Sequence, residues 1–287
     1  MQFEKISTNG VSLHTALAGP EDGPLVILLH GFPEAWFCWR HQIEYLAAQG
    51  YRVAVPDQRG YNLSDKPEGV EAYKLSILAQ DILGLADALG HEQFYLAGHD
   101  WGAAVAWYLG IEHPQRLKAL SILNVPHPQI FRRHLISSFK QRMRSWYILF
   151  FQLPVVPEAL FKAFNSKIVL QNMQHLDDEE KEQYLAAWSD PKAITGMLNW
   201  YRAIVRHPPS LPRPATVNVP TLVIWGKQDR YLSVRMAQPS ADMCKDGRLV
   251  ILDNATHWVT QDEPEKVGAL LLEHFRKNIE KPYQLFS

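Results

Sequence analysis

Three ionisable side chains stand where they could carry out nucleophilic catalysis. Asp100 lies in the stretch GHDWGA, residues 98–103, where an aspartate stands between two glycines. Asp229 and His257 follow along the chain, each a few residues after an apolar run. A carboxylate that attacks carbon forms an ester, and a histidine oriented by a second carboxylate can activate water to hydrolyse that ester. These residues therefore predict a nucleophile, an orienting acid and a general base.

The residues around Asp100 predict the turn that would display it. An apolar run at 94–97 predicts a strand before the motif, and the apolar spacing at 103–110 predicts a helix after it. Gly98 and Gly102 would leave room for a tight strand-to-helix turn, called a nucleophile elbow, and the helix N terminus would add partial positive charge. An ordinary aspartate that caps a helix is the structural alternative.

Two backbone amides are predicted to hold an oxyanion near Asp100. The stretch LHGFPE, residues 29–34, follows an early apolar strand. Its Phe32 N–H and the Trp101 N–H, directly after the nucleophile, are the expected donors. Glu34 and His99 flank the same site, and the sequence leaves their roles open.

The elements that must position these residues follow from hydrophobic patterning. Short apolar runs alternate with segments of helical spacing, which is typical of a parallel sheet covered by helices. Asn9-Gly10 predicts a β-hairpin at the start of the chain. The predicted buried strands are residues 25–29, 52–55, 94–97, 117–123, 221–225 and 248–252. The predicted fold class is α/β, with a mostly parallel central sheet flanked by helices.

The strand and helix alternation stops after Asn124 and resumes near Thr221. The intervening segment has a helical pattern, and we expect residues 126–214 to form an inserted helical lid, or cap domain. Residues 1–125 and 215–287 would form the core. Since α/β sheets place ligand sites at the carboxyl ends of their strands, the lid should cover that edge.

Composition limits the classes of partner and of metal site. A formal net charge of −1 over 287 residues gives no long-range field suited to nucleic acid or to an anionic membrane. Cys38 and Cys244 are too few for a disulfide framework or a metal cluster, so we expect free thiols. The apolar stretch from Trp146 to Val156 is too short to span a bilayer. We expect a soluble cytoplasmic protein that uses no cofactor or metal.

Several motifs together resemble the α/β-hydrolase superfamily and, within it, the soluble epoxide hydrolases. The match covers nearly the whole chain and includes the Asp229 and His257 loops. Its motifs are residues 30–34, 57–61, 98–103, 146–154 and 199–202. The resemblance implies an α/β-hydrolase fold with a lid, and conversion of an epoxide to a vicinal diol. It also implies that one tyrosine from each lid motif, Tyr147 and Tyr201, binds the epoxide oxygen.

The two tyrosines can also be judged from their neighbours in sequence. An apolar stripe at helical spacing accompanies Tyr147 and predicts that its ring shares an inward face. This stripe consists of Phe139, Met143, Trp146, Phe150 and Phe151. Met197 and Ile204 give the same expectation for Tyr201. From the residues alone, rings that fill the core with bonded hydroxyls remain the alternative.

Epoxide chemistry explains why a carboxylate stands at the nucleophile position. A serine would form an ether that the triad cannot readily cleave, whereas Asp100 forms an ester. Its reference pKa of about 3.9 leaves it ionised, while phenols with a pKa near 10 can donate to the departing oxygen. The predicted partners are a small hydrophobic epoxide, contacted by Trp101, Phe150 and Phe151, and water. Whether the chain forms a homodimer stays open.

Two alternatives remain from the sequence. A haloalkane dehalogenase would use the same aspartate and ester, but that family usually has an asparagine where Phe32 stands. Fluoroacetate dehalogenases typically have an arginine where Trp101 stands. A catalytically silent binding protein with a hydrolase fold is the second alternative, and the complete triad argues against it.

Overall fold

Eight strands form one mostly parallel sheet in the computed structural model, which describes residues 1–163, 170, 173 and 176–279. The strands are Gln2–Thr8 (β1), Val11–Ala18 (β2), Leu25–Leu29 (β3), Arg52–Pro56 (β4), Phe94–His99 (β5), Leu117–Leu123 (β6), Thr221–Gly226 (β7) and Gly247–Leu252 (β8). Their spatial order is β1-β2-β4-β3-β5-β6-β7-β8. β2 runs antiparallel to both of its neighbours, and all other neighbouring strands pair in parallel. The predicted strands and the α/β fold class are confirmed.

The central strands are buried on both faces, as their nearly continuous apolar sequences predict. Every residue of β3 is buried, and its side chains alternate between two apolar layers. Ile27 belongs to the layer that includes residues of the helices Leu75–Ala88 and Trp101–Glu112, whereas Val26 and Leu28 belong to the opposite layer. The hairpin is also confirmed, because Asn9 (φ 45°) and Gly10 (φ 75°) both adopt the left-handed conformation that a two-residue turn requires.

Helices cover both faces of the sheet and fill the segment between β6 and β7. In the described residues they are Arg40–Ala47 (α1), Leu75–Ala88 (α2), Trp101–Glu112 (α3), Pro128–Ser137 (α4), Phe139–Arg144 (α5), Trp146–Phe150 (α6), Val156–Ala163 (α7), Asp178–Ala187 (α8), Ala193–Arg206 (α9), Ala237–Ala241 (α10), Val259–Asp262 (α11) and Pro264–Lys277 (α12). None of these helices is long and apolar enough to cross a bilayer.

Helices α4 to α9 all fall within residues 126–214, the segment predicted to form the lid. Ten residues of that segment, 164–169, 171–172 and 174–175, lie outside the described residues, as do 280–287 of the predicted core. The division of the chain into a core and a lid stays a prediction. Cys38 and Cys244 are free and buried, as expected.

Helix α9 rests directly on the loop that follows β4. A Cβ atom on Gly196 would lie 2.7 Å from the carbonyl oxygen of Gly60, so the two backbones meet without a side chain between them. The Trp200 indole donates a hydrogen bond of 3.0 Å to the Arg59 carbonyl oxygen. Tyr201 is the next residue, and its position is therefore tied to this loop.

A buried ion pair anchors the loop to α2. The Arg59 guanidinium donates two hydrogen bonds to the Asp81 carboxylate, at 2.8 and 2.6 Å. Both side chains are almost fully buried. Asn9 donates a further hydrogen bond of 2.8 Å to the same carboxylate, which joins the hairpin to the anchor.

We predict that Asp81→Asn destabilises the protein by about 3–5 kcal/mol, because it leaves the buried Arg59 guanidinium without its counter-charge. Asp87→Asn on the same helix is the matched control, since its carboxylate is 62% exposed and pairs with Arg116 at the surface. The control should cost less than about 1 kcal/mol. Urea unfolding at neutral pH measures both values. Equal costs for the two variants would contradict the anchoring role.

Candidate active site

Five neighbouring strands bring the predicted triad, Phe32 and one further polar residue to one edge of the sheet. The strands β3, β5, β6, β7 and β8 lie side by side and run parallel. Phe32, Asp100, Asn124, Asp229 and His257 each follow one of them, in that order. Side chains far apart in sequence therefore converge where parallel strands end, which is where α/β folds place their sites.

Asp100 sits in a strained turn between β5 and α3. Its backbone has φ 48° and ψ −119°, a conformation that residues with side chains rarely adopt. A Cβ atom on Gly98 would lie 2.4 Å from the Gly102 carbonyl oxygen, and one on Gly102 would lie 2.3 Å from the Leu29 carbonyl oxygen. The two glycines therefore permit the close packing that forces Asp100 out at the top of the sheet.

The Asp100 carboxylate accepts a hydrogen bond from one of the two predicted amide donors, Phe32. The Phe32 N–H donates to its Oδ1 at 2.9 Å. Trp101 is the first residue of α3, and N–H groups of a first helical turn have no acceptor within the helix. Burial favours the neutral acid, but His257 and the Phe32 N–H outweigh burial and lower the pKa of Asp100. The side chain is therefore a carboxylate at neutral pH.

His257 lies between two carboxylates. Its Nδ1 is 2.7 Å from Asp229 Oδ2, and its Nε2 is 3.4 Å from Asp100 Oδ2. Burial lowers the pKa of His257, but the charges and hydrogen bonds of Asp229 and Asp100 outweigh burial and raise it to about 10. Since that value lies above neutral pH, the resting ring is an imidazolium. If Asp100 lost its charge, one of the two partners that raise this pKa would be gone.

The orienting Asp229 is itself held on both oxygens. The backbone N–H groups of Tyr231 and Leu232 donate to its Oδ1 at 2.7 and 2.8 Å. The Asn124 side chain donates to its Oδ2 at 2.8 Å, and the Gly226 N–H in turn donates to Asn124 Oδ1 at 3.0 Å. This network fixes the carboxylate that fixes His257.

Asn124 and Tyr231 belong to the site although the sequence patterns predicted no role for them. Asn124 directly follows β6, the strand between the Asp100 and Asp229 strands, and that position was the available signal. The ring of Tyr231 lies 5.2 Å from the ring of His257 and 6.4 Å from that of Tyr147, between centroids. In the sequence, its position two residues after Asp229 was the sign that Tyr231 lies near the site.

Glu34 and His99, whose roles the sequence left open, form a fully buried pair below the triad. His99 Nδ1 lies 2.9 Å from Glu34 Oε2, and its Nε2 lies 2.7 Å from the His257 carbonyl oxygen. Burial alone would raise the pKa of Glu34, but His99 outweighs burial and lowers it. Both ring nitrogens of His99 therefore face oxygen atoms. Glu34 also accepts from the Gly31 N–H, so the pair ties the His257 loop to the Phe32 loop.

Tyr147 on α6 and Tyr201 on α9 lie near each other, with ring centroids 5.9 Å apart. Tyr201 packs edge-on against Trp101 at 4.8 Å, and Met197 is buried one turn before it, as expected. Burial, and then the charge of Asp100, raise the pKa of both phenols well above the ordinary value. Both hydroxyls therefore stay protonated and able to donate at neutral pH.

The prediction that an apolar stripe shares the inward face with Tyr147 is wrong. Phe139, Met143 and Trp146 are 70%, 57% and 59% exposed. The chain forms two short helices, α5 and α6, interrupted at Ser145, so residue spacing counted across the break does not place side chains on one face. Tyr147 points inward although most of the stripe points to solvent.

Aromatic rings pack around Tyr201. Its ring lies 5.2 Å from that of Phe32 and 4.9 Å from that of Phe151. Of the predicted substrate contacts, Trp101 and Phe151 are therefore brought beside the tyrosine. Phe150 lies further out, with its ring 5.7 Å from that of the exposed Trp146. Among the described residues, no group of three or more histidine, cysteine, aspartate or glutamate side chains could hold a metal ion.

The sequence matches a family model and several known proteins. The model of the alpha/beta hydrolase fold matches residues 24–264. The AB hydrolase superfamily protein YfhM of Bacillus subtilis is 43% identical over 278 residues, which cover 94% of this chain and 96% of that protein. Epoxide hydrolase 4 of Mus musculus is 36% identical over 281 residues, covering 94% of this chain and 77% of that protein.

The structure is also similar to solved structures. An epoxide hydrolase of Bacillus megaterium in complex with an inhibitor superimposes with a TM-score of 0.85 and is 28% identical in sequence. The superposition covers 96% of this chain and 100% of that one. The similarity thus extends over the sheet and the helices inserted between β6 and β7.

We predict that Asp100→Asn lowers the pKa of His257 by about 1 to 3 pH units from its value of about 10, because the amide removes one of two charges that favour the imidazolium. Nitrogen NMR of labelled histidine side chains measures this titration. Asp253→Asn is the control, since that carboxylate is exposed and pairs with Lys227. An imidazole that titrates near 6.5 in the unsubstituted protein would contradict the charged resting state.

Proposed function

The chain belongs to the α/β-hydrolase family, and we propose that it hydrolyses epoxides to vicinal diols through an ester formed on Asp100. The single observation that carries this proposal is the pairing of two protonated phenols, Tyr147 and Tyr201, with an ionised carboxylate in an elbow. Epoxide opening needs these groups together, because one end of a strained C–O bond must be attacked while the other takes a proton. The epoxide hydrolases among its relatives support this substrate class.

In the first half-reaction, Asp100 attacks a ring carbon of the epoxide and the C–O bond to that carbon breaks. The released oxygen takes a proton from the Tyr147–Tyr201 pair, which leaves a phenolate. The His257 imidazolium then reprotonates the phenolate, so the net charge of the site does not change. The products of this step are a hydroxyalkyl ester on Asp100 and a neutral imidazole.

In the second half-reaction, neutral His257 removes a proton from water, and the hydroxide attacks Cγ of the Asp100 ester. The Phe32 and Trp101 N–H groups hold the oxyanion, and loss of one such donor typically adds roughly 3–4 kcal/mol to a barrier. Collapse breaks the ester bond at Cγ, and the departing alkoxide takes the proton of the new carboxylic acid. The diol leaves, and the water oxygen stays on Asp100.

The order of the two half-reactions follows from the charge on Asp100. While Asp100 is ionised, it helps to keep His257 protonated and unable to act as a base. Esterification removes that charge, so a general base becomes available only once there is an ester to hydrolyse. Water is thereby activated after the epoxide has opened.

The surroundings of the phenols favour small apolar epoxides. Phe32, Phe151 and Trp101 pack around Tyr201 and would line the path of the substrate's carbon skeleton. These rings would provide apolar contact with few competing polar groups. Trp101 would serve twice, with its backbone N–H at the oxyanion and its indole at the substrate.

We predict diol formation from aryl and alkyl epoxides and no free halide from haloalkanes of similar size. Chromatography of diols and a halide-ion assay measure the two products in parallel. Asp100→Asn should reduce diol formation by roughly 10⁴-fold or more, since it removes the nucleophile. Halide release without diol would replace the proposed activity by dehalogenation, and neither product would favour a binding protein.

We predict that His257→Gln still opens the epoxide but cannot hydrolyse the ester. Intact-mass spectrometry should then show the protein heavier by one epoxide, with the adduct mapped to the peptide containing Asp100. The double variant Asp100→Asn, His257→Gln is the matched control and should carry no adduct. The roles assigned to the two residues would be falsified if the single variant bound substrate without forming the adduct.

A further inference from the structure

Exposed apolar side chains are concentrated on the outside of α4, α5 and α6. Of 17 large hydrophobic side chains that are exposed among the described residues, nine lie between residues 136 and 160. We call the surface formed by five of them the outer lid surface. They are 57–71% exposed and comprise Ile136, Phe139, Met143, Trp146 and Leu149. A cluster of exposed apolar side chains indicates a surface that contacts another molecule.

The arginines and lysines of this segment lie on α4 and α5, and no acidic residue accompanies them. Residues 128–156 include five arginines and lysines and no aspartate or glutamate. Four of these cations, Arg132, Arg133, Lys140 and Arg142, are exposed. Within the part of the chain that the structure describes, none of the four lies within ion-pair distance of a carboxylate. The overall charge of −1 therefore conceals a local excess of positive charge.

The cations and the apolar side chains share one face. Arg132 and Arg133 lie four and three residues before Ile136, which places them beside it on α4. The Arg142 guanidinium lies 5.9 Å from the centroid of the Phe139 ring and donates a hydrogen bond of 2.8 Å to the Ile136 carbonyl oxygen. The outer lid surface is thus an apolar area bordered by cations.

We propose that the outer lid surface binds the surface of an anionic lipid bilayer. Bulky apolar and aromatic side chains on short helices enter the boundary between headgroups and acyl chains, and flanking arginines and lysines pair with anionic headgroups. Each cation near such a surface strengthens binding by roughly fivefold. The outer lid surface has both components on one face, which is the combination that an anionic bilayer complements.

A second copy of this chain fits the surface less well. A twofold interface places the same patch on both sides, so the four cations of one copy would face those of the other. No carboxylate lies between residues 128 and 156 to offset that repulsion. An anionic bilayer supplies the missing negative charge and an apolar layer together.

Docking would link the bilayer to the site described above. Trp146 and Leu149 point outward from α6, while Tyr147, between them in sequence, packs inward against Tyr201. Apolar epoxides dissolve in bilayers, so a docked protein would meet its substrate at the membrane. This purpose of docking rests on the proposed function. The binding itself does not depend on the reaction, so the two can fail separately.

Cosedimentation of the full chain with lipid vesicles tests the proposal. The protein should bind vesicles of phosphatidylcholine and phosphatidylglycerol at low salt, and bind vesicles of phosphatidylcholine alone far more weakly. Replacing Arg132, Arg133, Lys140 and Arg142 with glutamine should weaken binding at least about 100-fold. A charge-matched control replaces exposed cations elsewhere, namely Lys5, Lys192, Arg235 and Lys266, and should bind like the unsubstituted chain.

Two further measurements separate the remaining outcomes. Brominated lipids in the vesicles should quench the fluorescence of Trp146, and Trp146→Phe should abolish that quenching. Leu149→Ser should weaken vesicle binding about tenfold or more. Hydrolysis of a water-soluble epoxide should be unchanged in these variants. No binding to anionic vesicles, or an equal loss in the control variant, overturns the proposal. So does a dimer that the same substitutions dissociate, or binding to an acidic peptide in place of vesicles.

Discussion

A buried imidazolium between two carboxylates is the interaction on which the rest of the site depends. His257 can be charged in an apolar interior only because Asp229 and Asp100 flank it, and Asp100 stays ionised partly because His257 is charged. The imidazolium would not persist without these carboxylates, since an isolated charge is costly to bury. The strained elbow, the Asn124 network and the His99–Glu34 pair all hold the three groups within reach of one another. The resting protein therefore keeps a carboxylate and an imidazolium proton within one small volume.

Two different parts of the fold hold the residues of the site. The carboxylates, the histidine and the amide donors stand on loops that directly follow strands of one rigid sheet, so their spacing follows from strand register. The two phenols come instead from the helices inserted between β6 and β7. Tyr201 is fixed through the buried anchor of Arg59 and Asp81, whereas Tyr147 lies on a helix of only five residues. The acid that would protonate the departing oxygen is thus assembled from two supports of different stiffness.

Much of this could be predicted from the sequence because the signals are local. Buried parallel strands leave nearly continuous apolar runs, and a residue just after such a run must lie at the carboxyl edge, which sufficed to group Asp100, Asp229 and His257. Asn124 was missed because its role is a contact with Asp229 across 105 residues of sequence. The helix break at Ser145 was missed for a similar reason, since Gln141 bonds both Ser145 and the distant Tyr231 carbonyl. The net charge hid the basic lid helices because an average over the chain keeps no positional information.

The contact between the Gly60 and Gly196 backbones limits where the protein can tolerate substitutions. With no space for even one methyl group, neither position can gain a side chain without moving α9, and Tyr201 would move with it. The outer side of the short helix α6 packs against no other part of the described chain, because its side chains there are exposed. Sequence divergence, in nature or in the laboratory, should therefore accumulate around Tyr147, while the surroundings of Tyr201 change little.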